Sequence, residues 1–144
     1  LFNDLSSNVY GLLVDRASAD EVLLNGLIGI RDQSHGGWIV GTVVRKLANR
    51  VRGEMLAGIE VLSYHPIRVM LEAADGGRPV EALFLPGSDP YGKADALLLR
   101  AVDFTTGKAF GLTAAGKRYP LRLNRVTKKG ADWIKVRFEI DAKG

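Results

Sequence analysis

Apolar residues in this chain come in short runs, and turn residues interrupt them about every ten positions, a spacing typical of strands. The run 38–47 is rich in β-branched side chains, which favour strands. In 134–140 apolar and polar residues alternate, as they do in a strand with one buried face. We therefore predict an all-β fold with little helix. The expected strands cover 9–14, 27–31, 38–47, 55–62, 67–71, 80–85, 96–102, 117–126 and 134–140.

Turn signals support these boundaries. Asn25-Gly26 predicts a turn ahead of the second strand, and the run 128–131 predicts a hairpin between the last two strands. Ser18 with Glu21 three residues later has the pattern of a capping box, so a single helical turn is expected there. Pro66 is expected to end the strand before it, because proline cannot donate to a ladder.

The turn cluster 75–79 is the best candidate for a domain boundary, because the charge balance changes sign there. Residues 1–75 carry seven Lys or Arg against nine Asp or Glu, whereas residues 76–144 carry thirteen against seven. We predict a first β unit over 1–72 and a basic β subdomain over 76–144. The two are expected to pack together, because a core of about seventy residues rarely supplies more than ~3–5 kcal/mol.

Composition excludes several kinds of chemistry. The chain has no cysteine, which removes disulfides, thiolate metal sites and a cysteine nucleophile. Its two histidines, His35 and His65, lie in turn-like segments, and no phosphate-binding Gly-rich loop or Gly-x-Ser-x-Gly motif occurs. We therefore expect a protein that is not an enzyme and that carries no metal or cofactor.

Hydropathy indicates no membrane insertion. No apolar run approaches the ~20 residues that a spanning helix needs, and the first residues do not resemble a signal peptide. A cytoplasmic location is expected. The sequence starts at Leu1 without a methionine, so we expect a piece of a longer protein.

Small polar residues stand directly before the first apolar strand. Asp4, Ser6 and Asn8 would supply short donors and acceptors that can hold a ring edge or a phosphate. The plainer alternative is an Asx turn that leads into the strand.

This segment resembles the Asp/Asn-x-Ser-x-x-Gly motif of PilZ domains, the bacterial receptor modules for cyclic-di-GMP. Asp4 and Ser6 match its first two positions, but Val9 stands where the family has glycine, and Gly11 comes two residues late. The runs 24–30, 38–45 and 57–62 are similar to later strands of the family. The resemblance covers about residues 1–70 and implies a small β-barrel over 1–72, while 76–144 resembles a β extension.

The resemblance implies a non-enzymatic cyclic-di-GMP receptor or adaptor that passes ligand state to a protein partner. In such a receptor Asp4, Ser6 and Asn8 would contact guanine or ribose. Gly11 and Gly58 would allow a close backbone approach.

One part of the family pattern is missing from this sequence. PilZ domains carry an Arg-x-x-x-Arg motif ahead of the Asp/Asn-x-Ser motif, and its guanidinium groups grip the ligand. Only three residues precede Asp4 here, so we expect ligand binding by this chain to be impaired. Arg118 and Arg122 have the same spacing, but they fall in a strand of the other half. A degenerate PilZ-like interaction module without a small ligand is therefore an alternative.

A basic stretch over 117–137 supports a further alternative, a nucleic-acid-binding β-barrel. Tyr119 and Trp133 are interleaved among its cations and could stack on bases. A solvated outer face with Trp133 at its rim is the plainer interpretation. The residues proposed to meet an anionic partner are Arg118, Arg122, Arg125, Lys128, Lys129 and Trp133.

Overall fold

A computed structural model describes residues 2–4, 9–15, 22–32, 36–49, 53–87, 95–114 and 116–140. These residues form eleven strands, and one short 3-10 helix, Ala101–Asp103, is the helix found among them. The predicted all-β class with little helix is confirmed. The chain divides into two compact units, Leu1–His65 and Pro66–Gly144.

The first unit is an antiparallel sheet with the strand order β1-β2-β5-β4-β3. Its core lies on one face, where alternate residues of the fifth strand, from Met55 to Val61, are buried. This period of two is the pattern of a strand with one buried face. The strands are β1 (Phe2–Asp4), β2 (Val9–Asp15), β3 (Leu27–Asp32), β4 (Gly37–Asn49) and β5 (Glu54–Ser63).

The turn before β3 forms where Asn25-Gly26 predicts it. Asn25 has a φ of 63°, a left-handed conformation that asparagine tolerates better than most residues. The Gly26 N–H donates to the Leu23 carbonyl over 2.8 Å, and the buried Thr42 hydroxyl donates to the Gly26 carbonyl over 3.0 Å. These bonds fix the chain against β4 as it enters β3.

The second unit is a closed six-stranded barrel with the ring order β10-β11-β8-β7-β6-β9. Its neighbouring strands are antiparallel. Leu97, Phe110, Leu121 and Val136 are among the side chains that fill its interior. The strands are β6 (Ile67–Ala73), β7 (Val80–Leu85), β8 (Ala96–Arg100), β9 (Ala109–Ala114), β10 (Lys117–Lys129) and β11 (Trp133–Ile140).

The structure contains each of the nine predicted strands and two more, β1 and β9. The β9 segment was missed because Gly111 interrupts a short apolar run, and glycine weakens the signal of a strand. Yet β9 pairs with both β10 and β6, so this strand closes the barrel.

The barrel lies in the second unit, whereas the resemblance to PilZ domains implies it over 1–72. The division between units lies at His65/Pro66, whereas the sequence predicts it at the turn cluster 75–79. The composition of this cluster is typical of a domain boundary, but it connects β6 to β7 as a hairpin. Strand β6 therefore belongs to the barrel. The capping box predicted at Ser18 lies outside the described residues.

We predict that Gly41→Ala lowers the free energy of unfolding by about 1–3 kcal/mol, the usual cost of overpacking. A methyl group at Gly41 would lie 2.6 Å from Ile59 Cγ2 and 2.7 Å from the Glu60 carbonyl oxygen. Gly37→Ala on the same strand is the matched control, because nothing lies within 4 Å of its added methyl group. Urea denaturation of both variants measures the difference, and equal midpoints would contradict the packing described here.

Candidate ligand-binding face and basic hairpin

The register of the first sheet places two of the predicted ligand residues directly opposite each other. Gly11 of β2 pairs with Gly58 of β5. Gly11 also pairs with Phe2 of β1, and Gly58 also pairs with Arg45 of β4. We call such a line of paired residues across the sheet a row. The row Phe2–Gly11–Gly58–Arg45 therefore crosses four neighbouring strands.

Asp4 belongs to the next row on the same face. It pairs with Val9, which in turn pairs with Glu60. Val9 lies two residues from Gly11, and residues two apart along a strand share a face. The sheet thus brings Asp4, Gly11 and Gly58 to adjacent positions on one face, which we call the glycine face.

The other two predicted ligand residues, Ser6 and Asn8, lie outside the described residues. Both belong to the connection between β1 and β2, whose ends are the paired residues Asp4 and Val9. Their predicted contacts with guanine or ribose remain predictions.

The glycine face is the side of the sheet opposite its core. Along β5, Ala57 and Ile59 are completely buried, so Gly58 between them points away from the core. Gly58 itself is half-buried and Gly11 is buried. A methyl group on Gly58 would lie 3.3 Å from Arg45 Cβ, closer than the ~4.5–5.5 Å of ordinary cross-strand Cβ pairs. The absence of a side chain at Gly58 therefore lets Arg45 of the neighbouring strand pack closely at this position.

Arg45 is a member of this face that the sequence reasoning missed. It is exposed, and none of the ion pairs among the described residues involves it. A signal was present in the sequence, because the segment 45–52 holds four Lys or Arg and no acidic residue. What the sequence could not supply was the pairing of Arg45 with Gly58.

The second candidate surface is the outer side of the β10–β11 hairpin, which we call the basic hairpin. On both strands, residues that fill the barrel core alternate with residues that face outward. Leu121 and Leu123 point inward on β10, as do Ile134 and Val136 on β11. Outward-facing cations are Arg118, Arg122, Lys128, Lys135 and Arg137.

Cations are most concentrated toward the turn of this hairpin. Lys128 and Lys135 are direct register partners, and both are half-buried. Between the pairs Leu123–Phe138 and Val126–Val136, a register shift leaves Asn124 and Arg125 together opposite Arg137.

At the other end of the hairpin, carboxylates lie close to the arginines and offset their positive charge. Arg118 Nη2 lies 4.0 Å from Glu72 Oε2, and both side chains are exposed. Arg122 pairs in register with Glu139, which accepts a hydrogen bond from the Asn124 amide over 3.3 Å. The net positive charge of the basic hairpin is therefore concentrated near its turn.

Trp133 does not occupy the position that the sequence predicted. Its side chain is 2% exposed, and its indole covers Gly130 in the hairpin turn. A buried ring cannot stack on a nucleic acid base, so the role assigned to Trp133 is wrong. The other interleaved aromatic residue, Tyr119, is 39% exposed.

The exposed tryptophan is Trp38, in the first unit. Its ring is 58% exposed and packs on Gly29, and the Arg31 guanidinium carbon lies 5.9 Å from its centroid. Arg31 and Trp38 are register partners on β3 and β4, which explains the contact. The sequence reasoning did not single out either residue.

The possible metal-ligating side chains lie apart from one another in the part of the chain that the structure describes. Within those ranges, no group of three or more His, Asp or Glu side chains is placed to hold an ion. His65 lies just after β5, where its backbone N–H donates to the Ser63 hydroxyl over 3.0 Å. His35 lies outside the described residues.

Comparisons with known proteins find no protein-family model, no curated protein and no solved structure that matches this chain. Over the described ranges, no helix has the length and apolar character needed to cross a membrane.

Gly58→Val is expected to lower the free energy of unfolding by about 1–3 kcal/mol. The added side chain would crowd Arg45 Cβ and, at 3.9 Å, Val44 Cγ2. Thermal denaturation followed by circular dichroism measures the effect. A variant that melts at the wild-type temperature would show that position 58 is an ordinary open strand position.

Gly130→Ala is expected to displace the Trp133 indole, because a methyl group at position 130 would overlap its Nε1 and Cε2 atoms. The emission of Trp133 should shift to longer wavelength as the ring meets water. Measuring this in a Trp38→Phe background isolates the Trp133 signal. Unchanged emission would contradict the packing of the indole on the turn.

Proposed function

We propose that this chain is a non-enzymatic receptor or adaptor for cyclic-di-GMP in bacterial second-messenger signalling. The observation that carries the proposal is the register that brings Asp4, Gly11 and Gly58 to one face of the sheet. The resemblance to PilZ domains implies ligand contacts or close backbone approach at these same three residues. Their convergence on one face is what a shared ligand site requires.

The chemistry of the glycine face suits a cyclic dinucleotide. Opposed glycines in neighbouring strands let a flat ring approach the backbone closely. A carboxylate such as Asp4 accepts hydrogen bonds of the kind that a guanine edge donates. Arg45 is the register partner of Gly58, and its guanidinium is a planar fork of donors suited to a phosphate.

A receptor of this kind acts by changing its contacts with another protein. We propose that the chain is cytoplasmic and that a protein partner responds to whether the ligand is bound. The proposal assigns no chemical step to the chain. The degenerate interaction module without a small ligand is the alternative that a failed ligand titration would favour.

Arg45→Gln is expected to weaken cyclic-di-GMP binding by about tenfold to a hundredfold. A hydrogen bond to a charged group contributes roughly 1.5–3 kcal/mol, and ~1.4 kcal/mol is a factor of ten in affinity. Lys46→Gln is the matched control, because it removes the same charge at a position paired with buried Ala57 instead of Gly58. Isothermal titration calorimetry on the wild type and both variants measures the difference.

The same titration should include a version extended by any residues that precede Leu1 in the full-length protein. We expect this chain to bind about a hundredfold more weakly than a version that contains an Arg-x-x-x-Arg motif, because two charge-assisted contacts are added. Sub-micromolar binding by the present chain would show that other residues replace those arginines. If no version binds, the receptor function is wrong.

A further inference from the structure

The barrel carries a cationic surface that the proposed ligand site does not use. The second unit, Pro66–Gly144, has fourteen Lys or Arg against nine Asp or Glu, whereas the first has six against seven. The excess positive charge of the chain therefore lies in the second unit, whereas the glycine face belongs to the sheet of the first unit.

Within the barrel, the cations nearest the β10–β11 turn form one group, which we call the basic tip. Its register sets Lys128 opposite Lys135, and a register shift before Val126 leaves Asn124 and Arg125 together opposite Arg137. Asp132 is the acidic residue of that turn. The members of the basic tip are Arg125, Lys128, Lys129, Lys135 and Arg137.

These cations lie at one end of a single hairpin and so concentrate positive potential there, which attracts anions. Along one strand, outward-facing residues are about 7 Å apart, because each residue advances the chain ~3.3 Å. A polymer with regularly spaced negative charges can therefore meet several of these cations at once.

We propose that the basic tip binds the phosphate backbone of a nucleic acid without reading its sequence. Lysine and arginine contacts to phosphates release condensed counterions, which supplies most of the affinity in non-specific binding. The burial of Trp133 removes the stacking ring at the basic tip, and the exposed Tyr119 lies at the other end of β10. Binding should accordingly depend steeply on salt and hardly at all on base composition.

The test uses the whole chain and fluorescein-labelled oligonucleotides, both a duplex and a single strand, titrated by fluorescence anisotropy over a range of salt concentrations. Lys128→Gln/Lys135→Gln should lower the slope of log affinity against log salt by about two, close to one for each lost phosphate contact. If that double variant does not fold, Arg125→Gln/Arg137→Gln, at two exposed positions, makes the same measurement.

Arg68→Gln/Arg78→Gln is the matched control, because it removes the same net charge elsewhere. Arg68 lies on β6, three strands from β11 around the ring, and Arg78 is exposed before β7. Arg68 pairs with Glu81 at 3.1 Å, but both side chains are exposed, so its loss costs little stability. This control should keep the wild-type salt slope.

Three results would overturn the proposal: no binding of either oligonucleotide at low salt, an unchanged slope in the tip variant, or an equal loss in the control. Vesicles of phosphatidylserine and phosphatidylcholine form the last arm. Binding to these vesicles without binding to oligonucleotides would assign the basic tip to an anionic lipid surface instead.

Discussion

The alternation of buried and outward residues along β5 is the constraint on which the glycine face depends. Met55, Ala57, Ile59 and Val61 point into the core of the first sheet, and Gly58 points away from it. A slip of one residue would reverse every side chain of the strand and bury Glu60 in place of Ile59. Burial of apolar side chains therefore fixes the register, and the register fixes which residues meet on the opposite face.

The barrel depends on a comparable constraint, the pairing of β9 with both β6 and β10. Closure leaves no free strand edge in the ring, so the barrel needs no other element to protect an edge. It also fixes the outward side of β10 and β11, because Leu121 and Val136 must fill the interior. The cations that alternate with these core residues along β10 and β11 therefore lie on the outer surface of the barrel.

Strand periodicity predicted most of the elements, because a period of two is visible in a single sequence. It could not predict which strands pair, since β2 and β5 are neighbours in the sheet but lie far apart along the chain. Arg45 was therefore missed, although its basic segment was visible. The resemblance to PilZ domains implies the barrel in the other half, and nothing local in the sequence shows that the turn at 75–79 returns β6 onto β7.

Trp133 illustrates a second limit of sequence patterns. Alternation assigned it correctly to the side of β11 opposite Ile134, but alternation does not show what covers a residue on that side. The bare Gly130 gives the indole a surface to pack on, so the ring is buried. Burial of this kind depends on the turn conformation, which only the three-dimensional structure supplies.

The central claim is that Asp4, Gly11, Gly58 and Arg45 form one ligand site. The most direct test follows the backbone amide signals and the arginine Nε–H signals by heteronuclear NMR while cyclic-di-GMP is added. We predict that the largest shifts fall on these four residues and their row neighbours on the glycine face. Shifts confined to the basic hairpin, or no shifts at millimolar ligand, would contradict the claim.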